Sequence, residues 1–472
     1  MKNSFFQKRV SMWDRFRRSL ALHSAKLIRF MLIKLGRNAT SFPGVVASKI
    51  YPKFLSDACF GRMVVFVTGT NGKTTCAKIL TEIMQVNNRV VVSNSSGANM
   101  EDGLISTLVE NDRQVVEEDP IIVFETDEGW VANLSKKCKP AMIIVLNFFR
   151  DQLDRYGELN RTREIVKQGI NKCTSECHLI LCADDPLVAS LALDTGKEAS
   201  FFGLKEEQMQ ITKEKQTLVE AAHCPDCHEP MIYERVSNAH LGDYHCSSCS
   251  FKRPTPNLSF APREGMGNLL TIEMEDYKLD AELGIAGQHN LYNASAALLA
   301  AIHLDADFET SVAALAKMKA GFGRMEAFSF DSGKKCPVML VKNPAAMGAA
   351  LQHILKENHS QHILFSINDQ ANDGKDLSWI WDIDFEEFLK KADDKIDRLL
   401  FSGTRAAELA LRIYYAGFPL EKIKLCKNND DAVNSLLEQM EENETAYILP
   451  NYTAMLELRP MLEQLSKNEE AL

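Results

Sequence analysis

The residues best suited to chemistry lie at 63–76, Met-Val-Val-Phe-Val-Thr-Gly-Thr-Asn-Gly-Lys-Thr-Thr-Cys. An apolar run, Val64–Val67, feeds Thr68 and then Gly69, Thr70, Asn71, Gly72, Lys73, Thr74 and Thr75, and a helical pattern begins at Cys76. Strand, glycine-rich loop, Lys-Thr and helix are the parts of a phosphate cradle. The glycines let backbone N–H groups close around phosphate oxygens, Lys73 can reach the β- and γ-phosphates, and the Thr74 hydroxyl can ligate Mg²⁺. This pattern predicts use of a nucleoside triphosphate.

A second chemistry comes from Cys224-Pro-Asp-Cys227 and Cys246-Ser-Ser-Cys249, two C-x-x-C knuckles separated by residues 228–245. The spacing matches a four-thiolate zinc site closed by a short hairpin, for which Gly242, Tyr233 and Tyr244 are suitable ribbon residues. Four thiolates leave no open coordination position, so Cys224, Cys227, Cys246 and Cys249 predict structural Zn²⁺ rather than a catalytic metal. His223, His228 and His245 lie nearby and read as bystanders. The other eight cysteines are scattered and read as small buried apolar side chains in a reduced compartment.

Two polar clusters follow apolar runs. Glu125 ends the run Ile121–Phe124, where a carboxylate at the carboxyl end of a parallel strand can hold Mg²⁺. The neighbouring Asp127 and Glu128 read as a solvated acidic turn. The stretch from Asn147 to Glu158 follows a second run, Ala141–Leu146.

Apolar runs at Val64–Val67, Val90–Val92, Ile121–Phe124, Ala141–Leu146 and Leu179–Cys182 alternate with helical patterns, the rhythm of a parallel α/β sheet. The cysteine-rich stretch of about 218–256 interrupts it as an insertion. Leu269–Met274 and Tyr277–Leu283 predict a hairpin, and Gly287 to Leu304 an alanine-rich helix. Near Gly321–Glu326 the chain crosses into another α/β unit with strands at Val338–Val341, His362–Ile367, Arg398–Phe401 and Ala446–Leu449. The predicted division is residues 1–60, 61–320 and 321–472.

The 472 residues carry a net charge of −10, which argues against general nucleic-acid affinity, and no apolar stretch is long enough to span a bilayer. Residues 1–53 differ, with twelve Lys and Arg against Asp14 alone. From Trp13 to Leu35 apolar residues recur at helical spacing. Such a basic amphipathic helix can lie on an anionic membrane or pack on the body with its basic face solvated, and the second reading is preferred here.

Five ordered motifs then carry a family resemblance: Gly69–Thr75, Asn147 to Gly157, Ala183-Asp184-Asp185-Pro186, Gly287-x-x-Asn290-x-x-Asn293-x-x-Ala296-Ala297 and Gly323-Arg324-Met325-Glu326. Together they resemble Mur ligases, which use ATP to phosphorylate a carboxylate before an amine attacks it. The resemblance implies that Thr74 and Glu125 hold Mg²⁺, that Asn290 and Asn293 lie near the nucleotide, and that Arg324 reaches its phosphates. Two departures matter. Gln152 stands where the family has His, which weakens a second metal site, and the basic start is too short for a uridine-nucleotide-binding domain.

With the four-cysteine insertion, these departures are similar to the MurT family, the ligase-like subunits of lipid II isoglutaminyl synthase. Asn94 to Gly103, Leu340-Val-Lys-Asn343-Pro344, Ser402-Gly-Thr-Arg405 and Pro450-Asn-Tyr-Thr453 extend the likeness. The resemblance implies an α/β fold: a Mur-ligase-like central domain with an inserted zinc ribbon, and a Rossmann-like carboxyl-terminal domain. It also implies a heterodimer with a GatD-type glutamine amidotransferase that supplies ammonia for amidating D-glutamate in lipid II. Asp376, the last Asp of Asp373-Gly-Lys-Asp376, would then complete a glutaminase triad with the partner's Cys–His pair. On the residues alone this segment is also an Asn/Asp/Gly turn capping a helix. It is not a calcium loop, because counting from Asp369 puts Ala371 and Ile380 at ligand positions 3 and 12. The competing reading is a folylpolyglutamate-synthase-like amino-acid ligase, and a zinc-ribbon ATPase acting on nucleic acid fits the acidic balance poorly.

Overall fold

The computed structural model describes residues 11–35, 39–94, 98–149, 159–211, 221–263, 269–275, 277–284, 288–318, 324–330, 332–355, 361–370, 373–374, 376–392 and 395–469. They form two compact units, the first ending at Met318. Its nine-stranded sheet runs, from one edge, Tyr277–Glu282, Leu269–Met274, Leu258–Pro262, Ala199–Leu204, His178–Cys182, Met142–Val145, Val64–Thr68, Ile121–Glu125 and Val91–Ser93. The last seven are parallel, while Leu269–Met274 and Tyr277–Glu282 form the antiparallel hairpin read from the sequence. Val64–Thr68 and Ile121–Glu125 are buried throughout, as strands covered on both faces must be, and this explains their unbroken runs of Val, Ile and Phe.

Register sets up the site. Val64–Thr68 lies between Ile121–Glu125, where Val67 pairs with Glu125, and Met142–Val145, where Thr68 pairs with Val145. The chain following each of these three strands therefore emerges at one end of the sheet, beside the start of the helix Lys73–Val86. Ligands of open α/β sheets bind at such carboxyl ends.

The ribbon lies between Ala199–Leu204 and Leu258–Pro262, which are hydrogen-bonded neighbours in the large sheet. Within it, Met231–Asn238 and Leu241–Cys246 form an antiparallel hairpin in which Tyr233 faces Tyr244, extended by Gln210–Ile211. Backbones approach so closely at Gly242 that a Cβ there would lie 2.2 Å from the Arg235 carbonyl oxygen.

The second unit is a six-stranded sheet in the order Arg324–Ser329, Lys335–Met339, Tyr447–Pro450, Gln361–Ser366, Ile396–Ser402 and Ile423–Leu425. All pairings but the first are parallel. Ile363, Phe365, Leu399, Phe401 and Leu449 pack on one face against Ile380, Phe385 and Leu409. Leu364, Leu400 and Ile448 meet Leu436, Leu458 and Leu462 on the other.

One expectation is reversed. The helix Met12–Lys34 does pack on the body, through fully buried Ala21 and Ala25 and the neighbouring helix Phe42–Ile50. What it leaves to solvent is an apolar stripe, with Arg15, Lys26 and Lys34 exposed alongside, rather than a purely basic face. Arg17 donates to the Ile50 carbonyl, Lys26 pairs with Asp112 and Arg29 with Glu110, while the large apolar residues point outward. Periodicity locates an apolar stripe but does not say which side of the helix meets the core.

Candidate active site

The loop Gly69–Thr75 is held from below by Asn147. Its backbone carbonyl accepts from the Thr70 N–H at 2.9 Å. Its side-chain amide accepts from the Asn71 N–H at 2.9 Å and donates to the Asn71 carbonyl at 3.0 Å. Thr70 Oγ1 donates to the Phe149 carbonyl and accepts from the Phe149 N–H. Gly72, at φ 91°, is the residue before the helix, and a Cβ there would lie 2.0 Å from Asn293 Oδ1. Only glycine fits both the left-handed backbone and this contact. Asn293 in turn donates to Asn290 Oδ1 at 3.4 Å, so the helix Gln288–His303 brings both asparagines to the loop. The position of Asn147 directly after the apolar run Ala141–Leu146 is the sequence signal for this role.

Lys73 Nζ donates to the Gly69 carbonyl at 2.7 Å and to both oxygens of Glu128 at 3.2 and 3.3 Å. Glu128 and Asp127 are buried, which corrects their reading as a solvated turn. The segment after Ile121–Glu125 passes beside the phosphate loop, where Thr126 N–H bonds to the Val67 carbonyl, and Glu128 supplies the counter-charge that a buried lysine requires. Glu125 is 5% exposed and fixed by a two-way bond with Asn94, whose Oδ1 accepts from the Glu125 N–H and whose Nδ2 donates to its carbonyl. Its Oε2 is buried without a hydrogen-bond partner among the described residues. A buried carboxylate oxygen in that condition fits a cation, and the exposed Thr74 in the first helical turn fits the second ligand role.

Behind the loop lies a buried polar network. Asp184 accepts from Arg253 Nε at 2.8 Å, from the Leu204 N–H at 2.9 Å and from the Tyr292 hydroxyl at 2.7 Å. Burial pushes the Asp184 carboxyl up, against the pull of Arg253. Burial also pushes the Tyr292 phenol well up, so it keeps the proton it donates. Asp185 caps the helix Pro186–Thr195 through the Leu187 and Val188 N–H groups, and its other oxygen accepts from the Phe148 N–H. The tip of the ribbon hairpin enters this network. His240 Nε2 lies 3.3 Å from Asp185 Oδ2, and its ring centre is 4.9 Å from that of Phe149.

The four sulfurs of Cys224, Cys227, Cys246 and Cys249 all lie within 4.8 Å of one another. The Cys224–Cys249 and Cys227–Cys246 separations are 3.7 and 3.4 Å, near the roughly 3.8 Å edge of a tetrahedral thiolate site. Cys246 Sγ accepts from the Ser248 and Cys249 N–H groups, which hold its thiol down at about 6. Donor type and spacing suit a metal ion. His223, His228 and His245 are outside the cluster, and all twelve cysteines are free of disulfides.

In the second unit, three short motifs converge at the carboxyl ends of parallel strands. Asn368 donates to Thr453 Oγ1 and accepts from the Thr404 N–H, and Asn451 Nδ2 donates to the Asn368 carbonyl. Asp369 accepts from Thr404 Oγ1 at 2.7 Å and Arg405 Nε at 3.0 Å, while Asp373 accepts from the Thr453 N–H and hydroxyl. Gly403, at φ 89°, lets the chain pass so close to Ile367 that a Cβ would be 2.4 Å from its carbonyl oxygen. Asp376, half-buried, accepts from the Ser378 N–H at 2.9 Å, and that bond holds its carboxyl below the usual range. The capping turn is thus present. Arg324 opens the first strand of this unit, but its side chain, like Gly287, Gly323 and the segment with Gln152, lies outside the described residues.

Residues 67–301 match the Mur ligase middle domain and residues 340–455 the MurT ligase C-terminal domain. Among solved structures, a pseudomurein peptide ligase type C from Methanothermus fervidus has a TM-score of 0.66 at 21% identity, covering 88% of this chain and 81% of that one. MurF from Acinetobacter baumannii has 0.64 at 16%, covering 89% and 80%. The fold is that of a Mur ligase. Over 95% of its length the chain is 32% identical to the Staphylococcus aureus (strain COL) protein named lipid II isoglutaminyl synthase (glutamine-hydrolyzing) subunit MurT, covering 98% of that relative. The protein of the same name from Streptococcus pneumoniae (strain ATCC BAA-255 / R6) is 32% identical, covering 94% of this chain and 96% of that one. The chain belongs to the MurT family.

Proposed function

We propose that this chain is the synthase subunit of a lipid II isoglutaminyl synthase. It amidates the α-carboxylate of D-glutamate in the peptidoglycan stem to D-isoglutamine, at the cytoplasmic face of the membrane. Whole-length similarity to proteins of that name carries the reading. The phosphate loop clasped by Asn147, with Lys73 at its centre, supports the ATP-dependent half. The folylpolyglutamate-synthase-like alternative is not favoured, since it accounts for neither the carboxyl-terminal family match nor the four-cysteine cluster.

ATP occupies Gly69–Thr75, with Asn290, Asn293 and Arg324 as further nucleotide contacts. A substrate carboxylate oxygen attacks the γ-phosphorus, the bond to the β-phosphate oxygen breaks, and ADP leaves an acyl phosphate. Lys73 moves from Glu128 to the spreading phosphoryl charge. Thr74 and Glu125 would hold Mg²⁺, which would supply further charge neutralisation. Ammonia then attacks the acyl carbon and phosphate departs, leaving the amide. Residues 61–320 serve the ATP chemistry, and the thiolates of Cys224, Cys227, Cys246 and Cys249 would hold structural Zn²⁺.

Residues 321–472 meet a GatD-type glutaminase. There Asp376 orients the partner's catalytic histidine and stabilises its charged form, as the third member of a triad does. A carboxyl kept ionised by Ser378 is suited to that task.

The test is product mass from lipid II, ATP and glutamine, with and without the glutaminase subunit. The expected product is slightly lighter than the substrate, because OH is replaced by NH₂. Addition of an amino acid instead would sink the reading.

A further inference from the structure

The outward stripe on the helix Met12–Lys34 is unused by the fold. Trp13, Phe16, Leu20, Leu27, Phe30 and Met31 are each between 45% and 66% exposed. Spacings of three, four, seven and three residues from Trp13 to Phe30 keep them on one side. The opposite side presses small residues, Ala21 and Ala25, against the body. An ordinary surface helix does the reverse, burying its large residues and exposing polar ones. Six large apolar side chains in one strip exceed the scattered exposure normal for a soluble surface.

Charge selects what covers the strip. The helix itself carries six Lys and Arg against Asp14 alone, in a chain of net charge −10, so positive charge is concentrated on it. Arg15 and Lys26 are exposed beside the stripe, and Lys34 Nζ stands 4.6 Å from the Phe30 ring, with its stem along the apolar surface and its head at the end of the helix. Pairing two copies through this face would bring together two helices that each carry six cations against one carboxylate. A bilayer with anionic headgroups satisfies both the apolar strip and its basic surroundings.

We infer that the outer face of Met12–Lys34 docks the chain on an anionic lipid bilayer, the helix lying in the headgroup plane with Trp13, Phe16, Leu20, Leu27, Phe30 and Met31 immersed. The Arg17 hydrogen bonds to the Ile50 carbonyl and the salt links of Lys26 and Arg29 hold the helix on the body for this purpose. The inference deepens the reading of a membrane-borne substrate and rests on it for the choice of membrane, though the docking face itself does not depend on the chemistry.

The experiment is flotation of the full-length chain, together with its glutaminase subunit, on substrate-free vesicles. Equimolar phosphatidylglycerol and phosphatidylcholine should carry the protein upward. Phosphatidylcholine alone, or high salt, should reduce binding about ten-fold. The variant Phe16→Glu/Leu27→Glu/Phe30→Glu should lose at least about ten-fold in vesicle binding, with unchanged unfolding temperature and unchanged amidation of detergent-dispersed lipid II. If the triple variant does not fold, Phe16→Glu alone should still lose about three-fold. Docking is overturned if the wild type stays in the aqueous fraction, if the variant floats equally well, or if the stripe instead forms a lipid-free dimer that the variant dissociates. Failure of wild-type amidation in detergent would sink the ligase reading and leave the flotation result standing.

Discussion

Two acidic neighbourhoods in this chain are built in opposite ways. Around Lys73, the carboxylates Glu125 and Glu128 are buried, and backbone, asparagine and lysine contacts from three strand ends fix the phosphate loop. Around Asp376, the frame of Asn368, Asp369, Asp373, Thr404, Arg405, Asn451 and Thr453 is bonded internally, yet Asp376 itself is held only by its own turn among the described residues. The first has a counter-charge for its lysine in place, which suits the phosphoryl chemistry proposed for it. The second is a bonded frame presenting a carboxylate, which suits the proposed completion by a glutaminase subunit. The contrast is between a buried lysine–carboxylate pair fixed by its neighbours and a half-exposed carboxylate held by its own turn.

The comparison breaks first at Lys73. Lys73→Met should lower ATP-dependent phosphate release by on the order of 10³-fold, because no other described residue takes its place over the loop. It also leaves Glu128 buried without its cation, costing about 3–5 kcal/mol in urea unfolding. Adding Glu128→Gln should restore most of that stability and none of the activity. Recovery of activity would show that Glu128, not the phosphate, is the lysine's true partner.

At the other neighbourhood, Asp376→Asn should cut glutamine-dependent amidation by on the order of 10²-fold. Activity with added ammonium should persist, and stability should stay within about 0.5 kcal/mol of wild type. Loss of the ammonium-dependent reaction would move Asp376 into the ligase chemistry and erase the contrast.

Stability effects are smaller in kinetic terms. Cys224→Ser should remove bound zinc, measured as metal per chain, and lower the unfolding temperature, because a structural metal contributes to folding directly. His240→Ala should cost about 2 kcal/mol, since it opens a hole between Phe149 and Asp185. A rise in the KM for ATP is expected with it, as Phe149 carries the backbone that holds Thr70.

Much of this architecture is legible in the residues. The phosphate loop, the paired knuckles and the unbroken Val and Ile runs each have one low-energy interpretation, and all stand where their spacing puts them. Other parts needed tertiary context. Glu128 looks like a turn residue because its counter-charge is 55 positions away in sequence. Leu258–Pro262 does not read as a strand in sequence, since its pattern ends in proline and follows a proline-rich approach. Its strand character comes from pairing with Ala199–Leu204 and Leu269–Met274. Arg324–Ser329 and Ile423–Leu425 are edge strands, short or mixed in polarity, with little propensity of their own.

The position of the ribbon has an evolutionary consequence. It begins and ends on adjacent strands of the large sheet, so its removal would leave the strand order unchanged and require only a short new connection. Topologically it is an optional excursion. Chemically it is not, because it carries Arg253, the cation that faces fully buried Asp184, and Tyr244, whose hydroxyl holds the Ala183 carbonyl. A lineage that acquired this module and then let its core carboxylate rely on Arg253 could not discard the module without stranding a charge. The insertion is thereby tied to the core by electrostatics rather than by topology.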